Sequence, residues 1–163
     1  MALLEAIDKE LNKPIKLIAA GGTAMTLLGL KPSTIDIDFD LASEDAEELK
    51  SALKRIPHGF RIDIFRDGMI FSQQLPEDYP AKCIEIKSNF KRIMIFALHP
   101  LDIIVTKIGR LDERDLEDIG SCINKFRITK EQIEERAALV EYVGRRENYE
   151  DNVRHTVKRF FRS

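Results

Sequence analysis

The chain has 163 residues, of which 44% are hydrophobic and 33% charged, and its net charge at pH 7 is -2. This composition is that of a soluble globular protein of one domain, or of a core domain with a helical extension, and the small negative charge gives no overall basic signature for nucleic acid. No apolar run approaches the roughly 18 residues of a membrane span and the amino terminus lacks a signal-peptide pattern, so we expect a cytoplasmic protein without membrane contact.

Periodicity and turn residues predict the elements in chain order. They are helix 2–12, strand 15–20, helix 22–30, strand 35–41, helix 44–56, strand 60–66, strands near 69–74, 82–87 and 91–96, and helices 100–110, 114–126, 130–143 and 147–162. The polar stretch from Gln73 to Pro80 is predicted to be a loop between strands. This order predicts an α/β (α+β) fold, in which a mixed sheet is flanked by helices and followed by a helical extension. We expect a core at residues 1–97 and a helical portion at 98–163 that packs on it.

Two glycines, Gly21 and Gly22, stand between the first predicted strand and the second helix. Glycine lets the backbone approach a ligand closely, and the N–H groups at the start of the following helix favour phosphate. The alternative is a tight turn without a ligand.

The alternating run Asp36-Ile37-Asp38-Phe39-Asp40 is predicted to be a strand, because side chains two positions apart leave an extended chain on the same face. Asp36 and Asp38 then repel each other unless they are hydrated or neutralised. A divalent cation is one neutraliser, and carboxylates suit Mg²⁺ or Mn²⁺. The alternative is a solvated edge strand whose aspartates oppose aggregation.

The order of a hydrophobic residue, Gly21-Gly22, thirteen residues and Asp36-Ile37-Asp38-Phe39 resembles the DNA polymerase β-like nucleotidyltransferase superfamily. The fuller runs Gly-Gly-Thr-Ala-Met, Leu-Leu-Gly-Leu and Ser-Thr-Ile-Asp-Ile-Asp are similar to the branch that holds AbiEii-like and MenT-like toxins and related uncharacterised prokaryotic domains. The resemblance covers residues 15 to about 120. It implies a nucleotidyltransferase core in which Gly21, Gly22 and Thr23 bind a nucleoside triphosphate, while Asp36 and Asp38 hold Mg²⁺ (or Mn²⁺).

Sites of this superfamily usually need a third carboxylate from a neighbouring strand. Asp63 lies in the middle of predicted strand 60–66, and Glu85 in the middle of predicted strand 82–87. We favour Asp63, because one helix separates its strand from that of Asp38 and short crossovers keep consecutive strands neighbours. The resemblance then makes Asp63 the third metal ligand and the base for the attacking hydroxyl. Glu85 stays open as the competitor, and an ion pair of Asp63 with Arg61 or Arg66 is the other alternative.

A second cluster lies on the predicted helix 100–110, which Pro100 begins. Lys107 and Arg110 are three residues apart and share a face of the helix, an arrangement in which both cations can bind a triphosphate. The alternative is a solvated helix. The toxin-like branch carries a similar lysine, arginine and Arg/Lys-Asp-x-x-Asp arrangement, which implies nucleotide-site roles for Lys107, Arg110 and Asp115, with Asp118 as a further candidate. Asp115 could instead cap the next helix.

The carboxyl-terminal segment from Gly144 has a local basic bias. Its six cations outnumber its three anions: Arg145, Arg146, Arg154, Lys158, Arg159 and Arg162 against Glu147, Glu150 and Asp151. An RNA substrate could use these cations and the nearby aromatic residues. The alternative is an amphipathic helix that packs Val153, Val157 and Phe160 and solvates the rest.

Two functions follow. The first is a Mg²⁺-dependent nucleotidyltransferase that moves a nucleoside monophosphate to a hydroxyl of RNA, of a tRNA 3′ end or of a protein, with a toxin role and an antitoxin-like partner suggested by the resemblance. The second is a non-catalytic relative that binds nucleotide or a partner protein for regulation or assembly. The acidic residues together with the glycine turn favour the enzyme.

Overall fold

The computed structural model describes residues 2–34 and 36–162. Met1, Ile35 and Ser163, which fall in the predicted core, the predicted strand 35–41 and the predicted helical portion, lie outside the described residues. The chain divides into two compact units: unit 1 contains Met1–Asp67 and Cys83–Ala97, and unit 2 contains Gly68–Lys82 and Leu98–Ser163. Residues 68–82 therefore interrupt unit 1 in sequence and belong to unit 2.

The helices are α1 (Ala2–Glu10), α2 (Gly21–Leu27), α3 (Ser43–Lys54), α4 (Tyr79–Lys82), α5 (Pro100–Ile108), α6 (Glu113–Phe126), α7 (Lys130–Leu139) and α8 (Arg146–Phe160). The strands are β1 (Ile15–Ala19), β2 (Asp36–Leu41), β3 (Arg61–Arg66), β4 (Met69–Ile70), β5 (Gln73–Gln74), β6 (Ile84–Glu85), β7 (Ile93–Ala97) and β8 (Glu141–Tyr142). None of the described helices is long and apolar enough to cross a membrane.

Unit 1 is built on a mixed sheet with the strand order β6-β7-β1-β2-β3. The pairs β1–β7 and β2–β3 are parallel, whereas β1–β2 and β6–β7 are antiparallel. The predicted α/β (α+β) class with a mixed sheet and carboxyl-terminal helices is confirmed.

One face of this sheet forms the core of unit 1. Alternate residues of β1, β2 and β7 are buried there with apolar residues of α1 and α3, among them Leu17, Phe39, Ile95, Ile7 and Leu49. Because successive strand residues point to opposite faces, Ile37, Phe39 and Leu41 face this core and the three aspartates of β2 face the other way.

Unit 2 consists of helices and the small antiparallel sheet β4-β5-β8. Helix α5 is its centre, since every residue from Asp102 to Ile108 is buried. Capping boxes begin two of the other helices: Asp112 with Asp115 starts α6, and Thr129 with Gln132 starts α7.

Several predicted elements differ from the structure. Predicted helix 22–30 ends at Leu27, and predicted strand 82–87 is reduced to Ile84–Glu85. The predicted helix 130–143 ends at Leu139, and Glu141–Tyr142 instead forms β8, which pairs with Gln73–Gln74 of β5. The predicted loop 73–80 contains β5 and the start of α4. The pairing of β5 with β8 joins residues far apart in sequence, which a local pattern does not encode.

Candidate functional site

The three aspartates of β2 share the face of the unit 1 sheet opposite to the core. Along this face their exposure falls steadily, because Asp36 is exposed, Asp38 is 6% exposed and Asp40 is fully buried. Asp40 was part of the predicted alternating run but was not predicted as a site residue. The burial of Asp40 distinguishes β2 from a solvated edge strand. The position of β2 between β1 and β3 does so as well.

The neighbouring strand brings a fourth carboxylate to the same face. Strands β2 and β3 are parallel, and Asp38 and Asp63 are directly paired across them. Residues paired in this way point to the same side of a sheet. The side chain of Asp63 is 42% exposed, and the Nε atom of Arg61 lies 3.8 Å from its Oδ2 atom. The structure thus contains both the pairing with Asp38 and the ion pair with Arg61.

Glu85 lies elsewhere in the sheet. It belongs to β6, and both β7 and β1 stand between β6 and β2. The structure therefore brings Asp63, and not Glu85, beside Asp38.

The glycine turn is bonded to β2 on both sides of Asp38. The backbone N–H of Ala20 donates to the carbonyl oxygen of Asp38 at 3.0 Å, and the N–H of Asp38 donates to the Thr23 hydroxyl at 3.0 Å. Thr23 is 2% exposed, so its hydroxyl ties α2 to the strand from a buried position. The turn and the aspartate strand form one connected structure.

Each of the two positions in the turn favours glycine for its own steric reason. Gly21 has a φ of 50°, a left-handed conformation that favours glycine. At Gly22, an added Cβ would lie 2.8 Å from the hydroxyl of Thr34, and that hydroxyl donates to the carbonyl oxygen of Asp36 at 2.8 Å. Thr34 was not predicted as a site residue. The adjacent run Ser33-Thr34 before Asp36 was the only sequence signal for it.

Carboxylate oxygens such as those of Asp38 and Asp63 are the type of ligand that a hard divalent cation prefers. Within residues 2–34 and 36–162, no group of three or more His, Cys, Asp or Glu side chains is arranged to hold a metal ion. Asp38 and Asp63 do supply two carboxylates side by side. Mg²⁺ is usually bound through one or two protein carboxylates and completes its shell with water and substrate phosphates, so this donor set fits it.

The second predicted cluster lies within unit 2, where it forms a network of ion pairs. Lys107 is 3% exposed, and its Nζ lies 3.0 Å from Oδ2 of Asp118 and 3.5 Å from Oδ1 of Asp115. Arg110 donates two hydrogen bonds of 2.8 Å to the two carboxylate oxygens of Asp115. Asp115 also accepts from the N–H of Asp112 as part of the capping box, which is the capping alternative stated for it.

This network controls the ionisation of Asp115. Burial raises the pKa of its carboxyl, but the hydrogen bonds from Arg110 and the charge of Lys107 outweigh burial, so the pKa lies below its usual value. Lys107 is therefore a buried counter-ion in this structure, and the solvated-helix alternative does not describe it. The exposed cation of the cluster is Arg110, whose side chain is 55% exposed and lies over the ring of Phe71.

A second buried ion pair of unit 2 was not predicted. The guanidinium of Arg136 donates to both oxygens of Asp102, at 2.6 and 3.0 Å, and Asp102 is fully buried. Arg136 also donates to the exposed Asp78 at 2.9 Å. No sequence signal linked these residues, because α5 and α7 bring them together from 34 positions apart.

A family model described as a nucleotidyltransferase of unknown function (DUF6036) matches residues 1–160. The chain belongs to this family. It is a nucleotidyltransferase, and the predicted enzyme class is confirmed. The match supports the prediction of a nucleotidyltransferase superfamily. A nucleoside triphosphate is the substrate that the family implies.

Two solved structures have a similar fold. A crystal structure of ANT(2″)-Ia in complex with adenylyl-2″-tobramycin is 17% identical, with a TM-score of 0.57, over 84% of this chain and 94% of that chain. A solution structure of the antibiotic-resistance factor ANT(2″)-Ia is 18% identical, with a TM-score of 0.55, over 83% of this chain and 85% of that chain. At these identities the likeness concerns the fold alone. No curated protein sequence matches the chain.

Proposed function

We propose that this nucleotidyltransferase moves a nucleoside monophosphate from a triphosphate to a hydroxyl acceptor at the aspartate face of β2 and β3. The observation that carries the proposal is the direct pairing of Asp38 with Asp63 on neighbouring parallel strands. Carboxylates of residues paired directly across two strands repel unless a cation lies between or beside them. Asp36, exposed on the same face of β2, is the third proposed carboxylate.

The glycine turn supports the phosphate half of the proposal. We assign the triphosphate to the backbone at Gly21 and Gly22, as the resemblance to the superfamily implies, and Gly21 begins α2 with a φ of 50°, which residues with a side chain rarely adopt. Thr23 then has a positioning role, since its buried hydroxyl accepts the N–H of Asp38. This bond fixes the turn relative to the aspartates.

In the proposed reaction the acceptor hydroxyl attacks the α-phosphorus. A new phosphorus–oxygen bond forms, the bond to the bridging oxygen breaks, pyrophosphate leaves, and the hydroxyl proton passes to Asp63. Asp63 is suited to this because its side chain is 42% exposed and thus accessible to an acceptor. Mg²⁺ or Mn²⁺, if held by Asp38 and Asp63 with water and substrate phosphates completing its shell, would stabilise the charge on the attacking and leaving oxygens.

The test is transfer of label from each α-labelled nucleoside triphosphate to total RNA or to protein, with Mg²⁺ or Mn²⁺ present. Asp38→Asn keeps the shape of the side chain and removes its charge, and we expect it to lower the rate at least about a hundredfold, the order expected for losing a preorganised charge at the reacting centre. Glu134→Gln, which removes one carboxylate from the exposed surface of α7, is the matched control. Nucleotide binding without transfer under any condition would favour the non-catalytic alternative for this chain.

The toxin-like role belongs to the same proposal. It predicts that expression of the wild-type chain arrests growth of a bacterial host, while Asp38→Asn expressed to the same level does not. An antitoxin-like protein would be found by its rescue of that arrest. If the host grows equally well with the wild-type chain and with Asp38→Asn, the toxin role is rejected, irrespective of which acceptor the enzyme uses.

A further inference from the structure

Helix α8 has one face that packs inside unit 2 and one that is open to solvent. On the packed face, the hydroxyl of Tyr149 donates to the carbonyl oxygen of Val105 at 2.8 Å, and the amide of Asn152 donates to that of Ile108 at 2.9 Å. Thr156 is fully buried one turn further along. The packed face is therefore fixed by hydrogen bonds to α5, and α8 cannot turn its apolar residues outward.

The open face carries a basic stripe, which we define as His155, Lys158, Arg159 and Arg162. Lys158 and Arg159 lie three and four residues after His155 on the last turns of α8, and Arg162 follows just beyond the end of the helix at Phe160. All four residues are exposed.

The stripe differs from the other cations of α8 in its ion pairing. The cations nearer the start of the helix pair with acids of their own turn: Arg145 with Glu147, Arg146 with Glu150 and Arg154 with Asp151. In the part of the chain that the structure describes, no residue of the stripe has an ion pair. The guanidinium of Arg159 lies over the ring of Phe160, 5.9 Å from its centre. Among residues 2–34 and 36–162, the three positive charges of the stripe thus lie together without an ion pair.

The surface at the stripe is concave and includes aromatic side chains. The stripe and Phe161 line an open concavity of about 730 Å³. A second concavity of about 480 Å³ also includes Phe161 and Arg162, and it adds Lys130 and the acid Glu131 from the start of α7. A row of cations beside accessible rings is the combination that binds the phosphates and bases of a single strand.

We propose that the basic stripe binds a single-stranded polynucleotide and that this strand carries the acceptor hydroxyl, an inference that rests on the proposed function. The three positive charges of the stripe can contact up to three phosphates of such a strand. A membrane surface fits less well, because membrane-bound amphipathic helices insert an apolar face, and that face of α8 is packed on α5. A duplex would keep its bases away from Phe161.

The experiment measures binding of fluorescein-labelled 12-nucleotide RNA and DNA strands by anisotropy, between 50 and 200 mM KCl, without nucleoside triphosphate. The stripe variant is Lys158→Gln/Arg159→Gln/Arg162→Gln. The matched control is Lys9→Gln/Lys50→Gln/Lys54→Gln, which removes the same charge from exposed positions of α1 and α3. Because the changed side chains are exposed, circular dichroism of both variants should match the wild type.

We expect the stripe variant to weaken binding at least about tenfold at 50 mM KCl and to reduce the slope of log K against log salt by about 2, which is 0.7 for each of three lost phosphate contacts. The control should change binding less than about twofold. Phe161→Ala should weaken it by roughly 5- to 150-fold, the range for one stacked base. Comparison of the two strands decides between RNA and DNA.

Equal binding by the stripe variant and the wild type would overturn the inference, as would binding to anionic phosphatidylserine vesicles with none to either strand. The proposed function fails separately. If Asp38→Asn binds the strands normally and the wild-type protein transfers no label, the inference that the stripe binds a polynucleotide is retained and the proposed transferase function is rejected. If label moves to an acceptor other than a polynucleotide and the strands do not bind, only the inference about the stripe falls.

Discussion

Replacing Lys107 by methionine tests whether this lysine is a structural counter-ion or a phosphate ligand. The side chain is 3% exposed and lies 3.0 Å from Asp118 and 3.5 Å from Asp115. Methionine preserves most of the apolar stem and removes only the charge. Asp118 then loses this cation, whereas Asp115 keeps its two hydrogen bonds from Arg110.

The expected loss follows from the burial of the charges. Removing one partner of a buried ion pair costs about 3–5 kcal/mol, because the remaining charge stays in a poorly solvated place. Since Arg110 still neutralises Asp115, we take the lower end, about 3 kcal/mol. For a chain of this size that corresponds to a fall of roughly 6–12 °C in the melting temperature.

The loss is measured by urea unfolding, with Lys50→Met on the exposed surface of α3 as the control. Adding Asp118→Asn to the Lys107→Met variant should recover part of the stability, because it removes the buried carboxylate charge that Lys107 contacts in the wild type. Nucleotide affinity, measured below the unfolding transition, should change less than about twofold. A stability loss under about 1 kcal/mol together with a clear loss of nucleotide affinity would refute the structural reading and support the predicted phosphate contact.

Three further predictions use other contacts. The pKa of the Asp115 carboxyl is lower in the folded chain than its unfolded value near 3.9, so ionised Asp115 contributes its full stabilisation above that pH. This contribution is lost as the pH falls through the folded pKa. The urea midpoint should therefore drop below about pH 4, and it should drop less steeply in Arg110→Gln. Arg136→Met should cost about 3–5 kcal/mol in urea unfolding since it removes the bidentate partner of fully buried Asp102, and a cost below about 1 kcal/mol would contradict this. Gly22→Ala should cost about 1–3 kcal/mol through its contact with Thr34, and most of this should disappear in a Thr34→Ala background; the same cost in both backgrounds would place the strain elsewhere.

Much of the candidate site was predictable because its signals are local. The alternation around Asp38 specifies a strand with aspartates on one face, since the period of two is a property of the extended backbone. The glycines specify the turn for a similarly local reason, because Gly21 adopts a positive φ. The basic bias of the carboxyl-terminal segment is likewise a property of the sequence itself.

The positions of charged side chains between elements required the tertiary structure. Strand order decided that Asp63, and not Glu85, lies beside Asp38, and both residues look alike in sequence as mid-strand acids. Helix packing decided that Lys107 is buried as a counter-ion, although its spacing from Arg110 suits an exposed phosphate site equally well. Periodicity repeats over a few residues and can be read from a segment, whereas neighbours across a sheet or between helices depend on contacts between segments far apart in the chain.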